Sequence, residues 1–355
     1  MKIAFFVSSK NIIKRNFGGG IEYSVYYLIK ELVKRGHNLT LFAAPGSKID
    51  GVCFHKISPF PTNKSKLEYA NLEERVTSFY DLISLGDFFC GEEWKKFDII
   101  HYNNYIFYEI LPFVKNINIP VIIRVNYPHQ EIYPYMKNKL KEFKNVYYLP
   151  VSDFIKTIMP DLNYLDTVYP TIDFGDFPLS KNKREYLLFM GRVCPQKGTH
   201  LAIEVAKKSK RKLVIAGGVH KNHYNYFYTQ IKPHIDNKQI IYAGEVNFET
   251  KIKMYQRAIA TIFPIQWDEP FGIVMTESMA CGTPVIAFKR ASTGEVVKNG
   301  KNGFIVSDGD VKKMASVINK IQKLDRKIVR NYTENLFSIN KCAKKYENIC
   351  KKLLK

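Results

Sequence analysis

Residues 258–265 (AIATIFPI) form an apolar run of strand length and high β-branched content, and residues 285–288 (VIAF) form a second, shorter one. The stretch between them, 267–285 (WDEPFGIVMTESMACGTPV), places Pro270 and Gly272 before a helical segment at 273–281. Gly282 can take the left-handed conformation that closes that helix, and Pro284 stops its continuation. A strand, loop, helix and strand in series is a βαβ unit. Its loop and helix N-terminus lie at the carboxyl end of a strand, which is where open parallel sheets bind ligands.

Two acids mark this unit. Glu269 stands in the loop and Glu277 one turn into the helix. Unpaired N–H groups at a helix N-terminus favour anions such as phosphate, and a carboxylate accepts hydrogen bonds from sugar or ribose hydroxyls. Gly272 lets backbone N–H groups approach a ligand closely. Taken as isolated residues, Glu269 also reads as a helix-capping acid and Glu277 as part of a solvated face.

The full run resembles the signature of glycosyltransferase family 4, retaining nucleotide-sugar-dependent enzymes with the GT-B fold. That signature is a Glu, seven residues and a second Glu, written around E-P-F-G and followed by E-A-M-A-C-G-T-P-V-I-A. Here it reads Glu269-Pro270-Phe271-Gly272, then Glu277-Ser278-Met279-Ala280-Cys281-Gly282-Thr283-Pro284-Val285-Ile286-Ala287, with Ser278 the one departure. The resemblance implies that Glu269 holds the donor sugar's hydroxyls and Glu277 the ribose. It also lays the backbone N–H groups of Phe271, Gly272 and Ile273 over the sugar.

Along the N-terminal half the same alternation recurs. Residues 2–8 (KIAFFVS) are a first buried strand, followed by Phe17-Gly18-Gly19-Gly20 and a helix over 21–35 with apolar residues at helical spacing. Residues 38–44 are the next strand. Glycines that open a helix can cradle a phosphate, although the pattern is not G-x-G-x-x-G. With Glu22 the loop resembles the family's G-G-x-E segment, which makes Gly19 and Gly20 donor-binding candidates. Further strands are expected at 98–101, 120–125 and 147–151. In the family a His commonly follows the second of these and touches the donor sugar. Here that place holds Asn126, and the nearest His is His129, so either an amide has replaced the imidazole or the role has moved to His129, which is the preferred reading. Lys156 stands in the family's S-x-x-x-K place, and Pro170-Thr171 replaces its usual Asn-Gly.

The second half begins with a strand at 186–191, after a polar, turn-rich linker at 178–185. Arg192 and Lys197 follow it; as bare residues they read as surface charges or as a diphosphate seat, Arg through a bidentate fork and Lys as a point charge. Their spacing matches the family's G-R-x-x-x-x-K-G motif, which implies neutralisation of the leaving nucleotide diphosphate. Strands at 213–218 and 240–244 continue the alternation, and Glu245-Val246 resembles the family's nucleobase-contacting turn. A helix over 251–258 leads into the central unit, and residues 337–355 read as a last, lysine-rich helix.

A chain of 355 residues, 46% of them hydrophobic, suits about two domains with packed cores. The formal charge of +21 permits nucleic acid, an anionic membrane or acidic substrates as partners, but the lysines are dispersed and no nucleic-acid-binding motif occurs. The six cysteines include no Cys-x-x-Cys pair, and no Cys/His cluster has zinc spacing. MKIAFFVSS lacks a cleavage site, and no apolar run reaches the ~18–20 residues of a membrane span, so a cytoplasmic protein is expected, at most touching the cytoplasmic face of a membrane.

The expectation is therefore an α/β chain of GT-B fold. It comprises two Rossmann-like domains facing across a cleft, 1–175 on the acceptor side and 176–335 on the donor side, with a C-terminal helix, 336–355, crossing back to the first. The resemblance implies a retaining, metal-independent hexosyltransferase that needs no cofactor. Its donor would be a nucleotide-sugar, UDP- or GDP-linked, and its acceptor a glycan or lipid-linked sugar in surface polysaccharide or glycolipid biosynthesis. Nucleic acid is not an expected partner, although a basic nucleic-acid-binding protein stands as the lower alternative. A GT-B-like sugar-nucleotide epimerase or a non-catalytic glycan-binding member are the nearer ones.

Overall fold

The computed structural model describes residues 1–15, 19–64 and 70–355. Phe17 and Gly18 of the glycine-rich loop lie outside them. The chain forms two compact units, Met1–Thr171 with Ile339–Lys355, and Ile172–Ser338.

The first unit carries β1 (Lys2–Val7), β2 (Asn38–Ala43), β3 (Cys53–Lys56), β4 (Ile99–Asn103), β5 (Val121–Val125) and β6 (Val146–Pro150). They form one parallel sheet in the order β3-β2-β1-β4-β5-β6. The second carries β7 (Tyr186–Met190), β8 (Leu213–Ala216), β9 (Ile240–Gly244), β10 (Ala258–Phe263), β11 (Val285–Phe288) and β12 (Gly303–Val306). These are also parallel, in the order β12-β11-β10-β7-β8-β9. Every residue of β4, β5, β7, β8, β10 and β11 is buried, as parallel strands covered by helices on both faces must be.

Among the elements with no counterpart in the sequence reading are an edge strand and a long helix of the first unit. β3 (CFHK) is an edge strand with all four residues exposed. The helix Ala70–Cys90 leaves Phe79, Leu82 and Ile83 on its outer surface, so apolar residues lie on more than one face and its period is blurred.

The unit boundaries fall a few residues from those expected, for local reasons. The N–H of Thr171 donates to Ser24 Oγ at 3.1 Å in the helix Gly20–Lys34, which holds Pro170-Thr171 in the first unit. Residues 178–185, expected as a linker, are fastened into the second: Ser180 N–H donates to Cys281 O at 3.1 Å and Glu185 N–H to Arg257 O at 2.8 Å. At the far end the backbone is extended at Ser338 (φ −63°, ψ 144°). The final helical stretch is therefore two helices, Arg326–Phe337 in the second unit and Ile339–Leu353 in the first.

That last helix buries Cys342, Ala343, Tyr346, Ile349 and Cys350. Tyr346 OH shares a hydrogen bond of 2.9 Å with His101 Nδ1, and the His101 ring stacks on Phe5 at 4.4 Å. Arg35 ties the helix from outside through Glu347 (3.2 Å) and Asn340 Oδ1 (2.7 Å). The apolar face of the helix thus belongs to the core, and Lys341, Lys344 and Lys345 face solvent. Among the described residues no helix is long and apolar enough to cross a membrane.

Candidate functional site

In the second unit β7 and β10 are neighbours, but the chain leaves β7 toward β8 and β9 and leaves β10 toward β11 and β12. This reversal opens a crevice beyond the carboxyl ends of β7 and β10. The loops that follow these two strands carry Arg192 and Lys197 on one side and Glu269 on the other. Gln266 N–H donates to Gln196 O at 2.8 Å, which laces the loops together.

Within the crevice Lys197 Nζ pairs with Glu269 Oε2. The side chains of the pair are 18% and 13% exposed, sheltered enough for the pairing to matter and open enough for a ligand to reach. Trp267 Nε1–H donates to the same oxygen at 2.9 Å, and its ring lies 5.1 Å from Lys197 Nζ. Both donors converge on Oε2, so among the described residues Oε1 accepts from none. Ser292 Oγ–H holds the Glu269 carbonyl at 2.9 Å, and Arg290 bridges Asp268 (3.1 Å) and Asp308 (2.9 Å).

Arg192 is the contrasting cation. It is exposed, and among the described residues it makes no hydrogen bond or ion pair. Its charge is felt by His223, whose pKa is lowered first by burial and then by Arg192.

Gly272 caps the helix Ile273–Ala280 with φ +78°, and a Cβ there would come within 2.8 Å of Met275 Cε. Phe271 is buried, its ring 5.5 Å from that of Phe337. The N–H groups of Gly272 and Ile273 have no acceptor among the described residues, as expected where a helix begins. Glu277 is not on a solvated face; it is 3% exposed. Lys251 Nζ donates to it at 2.6 Å and Tyr255 OH at 3.0 Å. Burial, and then the Glu277 charge, push the Tyr255 phenol well above its usual range. Lys251 and Tyr255 stand one turn apart on the helix Phe248–Arg257, a spacing legible in the sequence but not connected there to Glu277. Ser278, the departure from the family pattern, is fully buried and satisfied: its Oγ donates to Thr283 O at 2.8 Å and shares a bond of 2.7 Å with Thr261 Oγ1.

Glu245 and Val246 follow β9, with Glu245 exposed beside Gly218. Gly217 N–H donates to Gly244 O at 2.7 Å, and Gly191 N–H to Ala216 O at 3.0 Å. The ends of β7, β8 and β9 are thereby locked side by side, and Gly217 (φ +154°) comes so close to Gly191 that a Cβ would sit 1.8 Å from its carbonyl oxygen.

The remaining candidates lie in the first unit. Gly19 N–H donates to Glu22 Oε2 at 3.0 Å, Glu22 Oε1 accepts from Asn11 Nδ2 at 2.7 Å, and Gly20 opens the helix. Asn126 is half-buried and donates from Nδ2 to Asn103 Oδ1 at 2.5 Å. His129 is buried, and its Nε2 lies 2.7 Å from the Tyr105 carbonyl. A carbonyl only accepts, so Nε2 carries the proton, and burial lowers the pKa, which keeps the ring neutral. His129 is thus committed to a structural bond, while Asn126 retains an exposed part. Lys156 pairs with Asp153 at 2.9 Å on the surface.

Behind the end of β4 lies a buried polar chain that the sequence did not reveal. Asp81 accepts from Ser9 N–H and from Asn104 Nδ2, both at 2.8 Å, and Tyr102 OH donates to Glu109 Oε2 at 3.3 Å. Burial raises the Glu109 carboxyl to about 7. The native state therefore holds a proton that the unfolded chain releases near 4.5, so this group's contribution to stability is complete at low pH and is lost as pH rises toward 7. Glu109→Gln removes the titration but keeps an acceptor for Tyr102. Melting at pH 4.5 and 8 should show the variant gaining on the wild type at the higher pH only; a pH-independent difference would contradict the assignment.

Among the described residues no three His, Cys, Asp or Glu side chains cluster as a metal site. Residues 173–336 match the family model described as glycosyl transferases group 1. The O-antigen chain mannosyltransferase RfbU of Salmonella typhimurium is 29% identical over 195 residues, covering 54% of this chain and 54% of that protein. The chain spans about half the length of such curated relatives. Among solved structures, a glycosyltransferase involved in avilamycin A biosynthesis superposes with a TM-score of 0.72 at 20% identity, over 99% of this chain and 98% of that one. Anabaena HepE in complex with UDP gives 0.73 at 16% identity, over 99% and 100%. At these identities the two structures establish the shared fold.

Proposed function

We propose that the chain, whose residues 173–336 match the family model described as glycosyl transferases group 1, transfers a hexosyl group from a nucleotide-sugar to an acceptor hydroxyl with retention at the anomeric carbon. The observation that carries this reading is the crevice at the end of β7 and β10, where an uncommitted Arg192, the Lys197–Glu269 pair and the start of the helix Ile273–Ala280 stand together.

In this reading the diphosphate of the donor lies against Arg192 and Lys197. As the bond from the anomeric carbon to the diphosphate oxygen breaks, negative charge grows on that oxygen, and the two cations and the free N–H groups of Gly272 and Ile273 stabilise it. The two N–H groups are fixed beforehand by the start of the helix, so they need little reorganisation when the charge develops. No metal or other cofactor enters the proposal. Glu269 Oε1, with no donor among the described residues, accepts from a hydroxyl of the donor sugar and orients it. Glu277, which Lys251 and Tyr255 hold, is the proposed acceptor for the ribose hydroxyls. The acceptor oxygen attacks from the face the diphosphate leaves, so Glu269 acts as a positioning group and not as a nucleophile. Glu245 and Val246 line the nucleobase end.

UDP is the first nucleotide to try, since HepE holds it on the same fold, and a surface glycan or lipid-linked sugar is the proposed acceptor, in keeping with the mannosyltransferase relative. A cytoplasmic site of action is part of the proposal. A non-catalytic glycan-binding member is the second reading, favoured by Asn126 where the family has a His.

Thermal unfolding against UDP, GDP, ADP and their sugar conjugates tests the proposal. A ligand at ~100 times its dissociation constant adds about 2.7 kcal/mol to the native state, which shifts the midpoint by about 2–4 °C even if the chain melts as one. One nucleotide standing clear of the rest supports the donor assignment; a flat panel on folded protein sinks it.

A further inference from the structure

The helix Ala70–Cys90 turns Asp81, Leu85 and Phe88 into the first unit, where all three are buried. Its opposite side is apolar as well. At about 100° per residue, Leu72, Phe79, Ile83 and Cys90 all fall within about 20° of the line opposite Asp81. Leu72 is 38% exposed, Phe79 58% and Ile83 46%, and Cys90 is exposed too. Single apolar residues on a surface need no explanation, but a line of them along a whole helix marks a face that meets something.

The line has a symmetry. Arg75 stands one turn before Phe79, and Asp87 one turn after Ile83. Both are exposed, and among the described residues neither side chain makes a hydrogen bond or ion pair. They lie about 18 Å apart along the helix, too far to pair within one chain. Reversing the helix about Asp81 exchanges Leu72 with Cys90, Arg75 with Asp87 and Phe79 with Ile83. The outer face is therefore complementary to itself. Laid antiparallel on a second copy, it sets apolar side chains against apolar ones and each guanidinium toward a carboxylate. Such self-complementarity is what a two-fold contact requires. An anionic lipid surface fits this face less well, because its two charges cancel and the Asp87 carboxylate would be pressed against like charge.

We propose that the outer face of the helix Ala70–Cys90 is the contact between two copies of this chain, packed antiparallel about a two-fold axis opposite Asp81. Phe79 packs on the partner's Ile83, and Arg75 pairs with the partner's Asp87. One helix pair is a small interface, so a dissociation constant on the order of 10 µM is expected. The contact lies wholly in the first unit and does not depend on the transferase reading.

Sedimentation equilibrium of the full chain tests it, at concentrations from about a tenth to about thirty times that constant. The wild type should pass from monomer to dimer across this range. Every contact occurs twice in a two-fold dimer, so each substitution counts twice. Phe79→Asp, Arg75→Asp and Asp87→Arg should each weaken association roughly 10-fold or more, the last two by setting like charges against each other. The double variant Arg75→Asp/Asp87→Arg restores an opposite-charge pair between copies and should associate within about 3-fold of the wild type. A pair too distant to meet within one chain gives that rescue only across a two-fold contact. A wild type that stays monomeric throughout, single charge variants that associate as the wild type does, or a double variant no better than the singles would each overturn the proposal. Binding of a monomeric wild type to phosphatidylglycerol vesicles, lost in Phe79→Asp, would overturn it too and give the face to lipid.

Discussion

Arg192→Ala is expected to lower turnover by a factor on the order of 10²–10³ and to leave stability within about 0.5 kcal/mol of the wild type. The two halves of this expectation have one cause. Arg192 is exposed and has no hydrogen bond or ion pair among the described residues, so the folded state loses little when it is removed. Its neighbour Lys197 cannot give so clean a result, because its removal would also leave Glu269 unpaired in a sheltered position. In the proposed function the diphosphate of the donor is the counterpart of this cation. Arg192→Lys should recover only part of the loss, since an ammonium is a point charge and cannot grip two phosphate oxygens as a guanidinium does. Product formation with the donor identified by the melting panel, measured beside the melting temperature, decides the matter. Near-normal turnover in Arg192→Ala would remove the crevice from consideration as the diphosphate seat.

Gly217→Ala should have the opposite profile, with severe loss of folded protein from a residue that contributes no side chain. Two penalties add. The backbone at φ +154° is closed to residues with a Cβ, and the new methyl would lie 1.8 Å from the Gly191 carbonyl oxygen, a backbone atom that cannot swing aside. Overpacking of about 1–3 kcal/mol and a strained backbone of about 1–3 kcal/mol together approach or exceed half the stability of a typical domain. Urea unfolding and soluble yield give the readout. A variant with the wild-type midpoint would mean that the ends of β7 and β8 do not meet as described.

The strands that were legible in the sequence are those whose burial leaves no choice of residue. AIATIF, VIIRV and YLLFM are apolar through and through because both their faces are covered. The elements that were not legible lack that constraint. β3 is an exposed edge, where Cys53, Phe54, His55 and Lys56 pair by backbone alone. The helix Ala70–Cys90 mixes a buried Asp81 with an exposed Phe79, which inverts the usual pattern. At the site, Glu269, Lys197 and Arg192 could be named because motif spacing singles them out. Trp267 and Tyr255, which hold two of the acids, could not be paired with them, because the contact of Tyr255 depends on which helices the fold brings together and that of Trp267 on how its own loop turns. The same holds for His129. Sequence alone offers an imidazole in a loop, and only the packing reveals that the ring lies edge-to-face against Tyr105 and Tyr127 and holds the Tyr105 carbonyl.

The first unit is assembled from residues 1–171 and 339–355, with the whole of the second unit between them in the chain. A ribosome delivers those pieces in order, so the amino-terminal sheet emerges long before Tyr346 arrives to close over His101 and Phe5. During that interval the growing chain carries an open core face, the state in which folding intermediates are prone to aggregate. The second unit, uninterrupted in the chain, has no such wait. Damage near residue 346 would therefore be felt first at the opposite end of the sequence, in a sheet whose own residues are intact.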